Sequence, residues 1–192
     1  MRKLSTELLS NLRPLTGDAE VVPAIGRALS LVRGRSVRLR GAAFPLGTAS
    51  GVWVDRVNHD LIVYEENTDP EHQIVIIGHE AWHMFQGHGT SHSPTAARAA
   101  DPEASAKLAD FVAVVAEVAR IDLSPARHMD VGLHFAARTD GHEVQEELEA
   151  EHFGFRFATA VQAALDEART AGDPRNLTGR IQASMAHRFR PT

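Results

Sequence analysis

Apolar positions along this chain change rhythm several times, and each change marks an element. Leu4 to Leu12 reads as a short helix. From Asp18 to Arg33, Val22, Ile25, Ala28, Leu29 and Val32 recur at helical spacing, with Pro23 in the first turns. Gly34 ends that helix, and Val37-Arg38-Leu39-Arg40 then alternates with period two, as a half-buried strand does. Gly51 to Val57 and Asp60 to Glu65 read as two further strands joined by a tight turn at Asn58-His59. A small antiparallel or mixed sheet is therefore expected near residues 36–40, 51–57 and 60–66.

The next element carries the chemistry. Asp69 and Pro70 have the chemistry of an N-cap and first helical residue, and Gln73-Ile74-Val75-Ile76-Ile77 then runs apolar into Gly78-His79-Glu80-Ala81-Trp82-His83. After Gly87 the chain turns small and polar through His88 to Pro94, which is loop composition. A helix is expected from Ala104 to Arg120. Pro125 and Gly132 argue against a long helix between Asp122 and Gly141, and a strong helical signal returns from His142 to about Ala171, stopping at Gly172-Asp173-Pro174. The expected class is α+β, with residues 1–192 as one domain: helices within 4–33, then a core of about 37–170.

Composition narrows the function classes. The chain has 192 residues, 43% of them hydrophobic, which suffices for one core. A formal charge of -5 argues against general nucleic-acid binding. Arg27, Arg33, Arg35, Arg38 and Arg40 are expected on a helix C-terminus and the solvent face of a strand rather than against phosphates. With no cysteine, disulfides, thiolate metal sites and cysteine nucleophiles are all excluded. Met1 to Glu7 lacks the apolar stretch of a signal peptide, and the longest apolar run, Phe111 to Ala116, is too short for a bilayer. A soluble cytoplasmic protein is expected.

His79 and His83, one helical turn apart, fall on one face and can hold one metal ion between them. In a chain with 11 histidines, chance produces His-Glu-x-x-His about 0.05 times. Zinc is the expected ion: it accepts neutral imidazoles, and three protein ligands leave a position that acidifies water. Glu80, about 100° around the helix from His79, stands at the flank of the pair as a general base.

Two histidines need a third ligand. His88 and His92 lie in the loop and read as solvated or substrate-side residues. The helix after His142 is acidic, with Glu143, Glu146, Glu147, Glu149 and Glu151. Projected at about 100° per residue from Glu149, Phe153, Phe157, Ala160 and Val161 define an expected buried arc between about 20° and 120°. That leaves Glu146 and Glu149 as candidates, because Glu147 and Glu151 turn toward its far side. Tyr64, His88, His92, His134 and His142 are the available partners for an oxyanion, and Tyr64 has the competing role of an aromatic packed on the sheet.

The stretch Asp60 to Tyr64 followed by Asp69 to His83 resembles the ImmA/IrrE family of zincin-like metallopeptidases, as does the later segment Glu149-Ala150-Glu151-His152-Phe153-Gly154. The resemblance spans about Val37 to Ala160. It implies a zincin-like fold, His79, His83 and Glu149 as zinc ligands, and Glu80 as base. Against that family, residues from about 96 to 141 are an insertion without an evident role. It also implies peptide-bond hydrolysis, with a helix-turn-helix repressor or antitoxin as the partner cleaved. Two other readings stand beside it: a zinc-binding regulatory or toxin component that acts by partner binding alone, and a DNA-binding regulator using the arginines of 27–40 or Arg175, Arg180, Arg188 and Arg190.

Overall fold

Extended, β-branched segments separated by short turns build the centre of the protein. A computed structural model describes residues 1–12, 21–46, 48–87, 110–111, 113–115, 117–118 and 141–172. In it, β1 (Val37–Ala42), β2 (Gly51–Asp55) and β3 (Asp60–Glu65) form one sheet of order β1-β3-β2. β3 is central, parallel to β1 and antiparallel to β2. The sheet is therefore mixed, and β2 is an edge strand among the described residues. The expected turn closes the β2–β3 hairpin, where the Arg56 N–H donates to the His59 carbonyl at 3.1 Å.

Period-two alternation splits the sheet into two faces. Val37, Trp53 and Ile62 point to one side, where they meet α1 (Arg2–Leu12), α2 (Val21–Arg33), α3 (Pro70–Gln86) and α4 (Gly141–Gly172) in the main core. Ala42, Val52, Val54, Leu61 and Val63 point to the other, and there Phe111 and Val115 cover them. Helical residues within 110–118 thus come from the stretch to which the sequence assigned no role, and they close the second face of the sheet. Phe44 and Phe111 meet with ring centroids 4.9 Å apart. This explains why β2 and β3 are buried on both sides instead of showing the half-buried pattern of β1.

The N-terminal helices appear as expected within the described residues, with Gly34 at φ 73° closing α2 through its N–H to Ser30 O. Residues 18–20 of the expected second helix lie outside the described residues. Of the five arginines, Arg27, Arg38 and Arg40 are exposed, but Arg33 and Arg35 turn inward. Asp60 is fully buried, and its carboxylate accepts from Trp53 Nε1 at 3.0 Å and pairs with Arg33 Nε at 3.1 Å and Arg35 Nε at 3.3 Å. A buried carboxylate is tolerated where donors replace its hydration. This cluster ties the end of α2 to the start of β3. No helix among the described residues is long and apolar enough to cross a membrane.

Candidate metal centre

The helix that carries the two histidines is bounded by local chemistry at both ends. Asp69 is the N-cap with Pro70 following; its side chain makes no capping bond, and its carbonyl accepts the Gln73 N–H at 2.9 Å. The Gln73 side-chain amide donates to Glu66 O and Thr68 O, which fixes the entry of the chain. Gly87, left-handed at φ 72°, stops the helix one turn after His83 by donating to the His83 carbonyl. Such a residue costs glycine no steric strain. Between these ends α3 lies under the sheet on one side and against α4 on the other. Accordingly its buried residues, from Ile74 to Met84, surround the helix rather than forming one stripe.

At its centre His79 Nε2 and His83 Nε2 face each other at 3.1 Å. Glu147 of α4 completes the group, with Oε2 at 3.5 Å from His79 Nε2 and Oε1 at 3.4 Å from His83 Nε2. Three donors bonded to one tetrahedral zinc at its usual ligand distances stand about 3.3–3.4 Å from one another. The two imidazole nitrogens and the nearer carboxylate oxygen of each pair stand close to that edge length, and one donor atom from each residue lies within 4.8 Å of the others, so His79, His83 and Glu147 form a group that could hold a metal ion. Nitrogen and carboxylate oxygen donors suit zinc and other borderline divalent ions. The His83 side chain is fully buried, whereas those of His79 and Glu147 are 19% and 22% exposed, so the group is open to solvent through the latter two.

The carboxylate that reaches the histidines is thus Glu147, where the resemblance led to the expectation of Glu149. Glu149 instead accepts from Gln145 Nε2 at 3.1 Å, one turn back along α4. The reason lies in the rotation of the helix. Its buried face is made by Ala150, Phe153, Phe157, Val161 and Leu165, with Gly154 packed on α3, which centres the arc near 100° rather than 65° from Glu149. Ala160, used to set the expected arc, is only partly buried. Glu147, Ala150, Gly154, Phe157 and Val161 follow one another at spacings of three and four, so the acid continues the buried stripe toward the helix N-terminus. The signal available in the sequence was the pair of small residues, Ala150 and Gly154, on that stripe.

Glu80 is 3% exposed and is packed under the sheet. A Cβ placed on Gly51, the first residue of β2, would stand 2.9 Å from Glu80 Oε1 and 2.6 Å from Ile76 Cγ2. Tyr64 is paired with Gly51 across the β2–β3 ladder. It is half-buried against the main core. Burial, reinforced by the Glu66 carboxylate and opposed by Arg40, raises the Tyr64 pKa above its ordinary value, so its hydroxyl stays a donor at neutral pH. Trp82 is buried with its ring centroid 5.1 Å from that of Phe153, which joins α3 to α4 beside the histidines. His88, His92 and His134 lie outside the described residues, as do the side chain of His142 and the basic positions Arg175, Arg180, Arg188 and Arg190. No family model, no curated protein and no solved structure matches this chain.

Proposed function

We propose that this protein is a zinc-dependent peptidase of the ImmA/IrrE type that cleaves a specific protein, such as a helix-turn-helix repressor or antitoxin. The observation that carries the reading is the convergence of His79 Nε2 and His83 Nε2, 3.1 Å apart, on the Glu147 carboxylate, whose Oε2 lies 3.5 Å from the first and Oε1 3.4 Å from the second. That arrangement suits one ion with a position left for substrate and water. When bound, the metal polarises a carbonyl and lowers the pKa of water toward ~7. His79 and His83 enter as neutral imidazoles and Glu147 as the anionic ligand.

The remaining chemistry belongs to the side chains. Glu80 accepts a proton from the attacking water as its oxygen bonds to the amide carbon. It then delivers that proton to the nitrogen as the C–N bond breaks, leaving an acid and an amine. Burial of Glu80 keeps bulk water from competing for the carboxylate. An extended backbone suits this site, because the outer edge of β2 has no strand beside it among the described residues and begins where Glu80 packs. Main-chain pairing to such an edge selects polypeptides over smaller amides.

The test compares cells making the wild-type protein with cells making Glu80→Gln and identifies new protein N-termini. The reading expects one protein, or very few, to be cut only by the wild type, with purified Glu80→Gln about 10²–10⁴ slower on it. A biological effect that persists in Glu80→Gln without any cleavage would contradict hydrolysis and favour action by binding.

A further inference from the structure

We infer that Gly51 is a positioning residue for Glu80: the missing side chain at the start of β2 leaves the space that the base occupies. This rests on the reading of Glu80 as proton acceptor. Gly51 has no positive φ among the glycines that do, so backbone freedom does not account for it. Space does. A Cβ there would meet Ile76 Cγ2 at 2.6 Å, Glu80 Oε1 at 2.9 Å and Glu80 Cγ at 3.0 Å. The first two are closer than Cβ atoms come to other atoms, so any larger residue forces a shift.

The three contacts differ in what can give way. Gly51 is held in the sheet by its register opposite Tyr64, and the adjoining Ser50 carbonyl accepts the Glu65 N–H at 2.8 Å. Ile76 is a buried core residue of α3. Of the two side chains met, Ile76 is branched at Cβ and stiff at its first torsion, whereas the longer Glu80 side chain has more rotatable bonds, so the Glu80 carboxylate is the group that a methyl at position 51 displaces. Movement of about 1 Å at a reacting carboxylate is enough to cost a large part of its function. The metal ligands need not move, since none of His79, His83 and Glu147 is among the three nearest contacts of that Cβ.

The experiment separates a displaced base from a damaged scaffold. Ile76→Ala removes the Cγ2 contact, so adding Gly51→Ala in that background leaves, of the three nearest contacts, the two with Glu80. The probe is acetohydroxamic acid, which chelates zinc and gives its acidic proton to an adjacent carboxylate. Its affinity for the zinc-loaded protein, measured by calorimetry beside zinc content and thermal unfolding, reads the placement of Glu80 without a substrate. We expect Gly51→Ala/Ile76→Ala to keep zinc and fold but to bind the probe about 10-fold or more weaker than Ile76→Ala alone. Equal affinity would overturn the inference. Loss of zinc or of folding in the double variant would also overturn it, by assigning Gly51 a scaffold role. Glu80→Gln serves as the separate arm: undiminished probe affinity there would show that the reading of Glu80 itself fails.

Discussion

Gly78 of α3 and Gly154 of α4 pack backbone to backbone, so that a Cβ on Gly78 would stand 3.0 Å from the Gly154 Cα. The approach is closer still in the other direction, where a Cβ on Gly154 would stand 2.6 Å from the Val75 carbonyl oxygen. Gly78 directly precedes His79, and Gly154 lies seven residues, two helical turns, beyond Glu147. This crossing is what brings a carboxylate on one helix within reach of two imidazoles on the other.

Gly154→Ala should therefore weaken the protein and the metal site together. Its methyl meets rigid backbone, not a flexible side chain, so α4 must move away from α3. The expected loss of stability is about 1–3 kcal/mol, read by urea unfolding of the metal-free protein. Zinc affinity should fall in the same variant, whereas an unchanged affinity would show that Glu147 does not depend on this contact.

The carboxylates of α4 should divide cleanly. Glu147→Ala should lower zinc affinity by about 100-fold or more, since a ligand matters at least as much as the outer partners whose loss costs that much. Glu149→Ala should leave it nearly unchanged, because that side chain is engaged with Gln145 along its own helix. Competition titration against a chromophoric chelator measures both. The reverse pattern would restore the assignment suggested by family resemblance.

The cluster around Asp60 makes a prediction about stability alone. Asp60→Ala removes the acceptor for buried Trp53 Nε1 and the counter-charge of Arg33 and Arg35, whose side chains are 24% and 30% exposed and can partly rehydrate. The expected cost is about 2–3 kcal/mol. Equilibrium unfolding checks it, and zinc stoichiometry in the folded fraction should stay at one per chain.

The division between what could and could not be read from the sequence follows the range of the forces involved. Asp69, Pro70 and Gly87 set α3 through interactions within a turn of themselves, so the helix and its His-x-x-x-His face were legible. β1 was legible by alternation, β2 and β3 by their runs of β-branched and aromatic residues, and Asn58-His59 by its place between them. The choice between Glu147 and Glu149 was not, because a rotation of about 35° in the buried arc decides it, and that rotation goes with the Gly78–Gly154 crossing. Arg33 and Asp60 are 27 positions apart, and nothing local distinguishes Arg33 from the exposed Arg38. Likewise, that Phe111 and Val115 cover the far face of the sheet depends on where a distant segment folds back.

Whether His79, His83 and Glu147 share one ion can be seen by diffraction from crystals grown with zinc, recorded on both sides of the zinc absorption edge. One anomalous peak per chain is expected, within about 2.0–2.2 Å of His79 Nε2, His83 Nε2 and a Glu147 carboxylate oxygen. No peak at that position, or a metal held by Glu149 in place of Glu147, would contradict that arrangement.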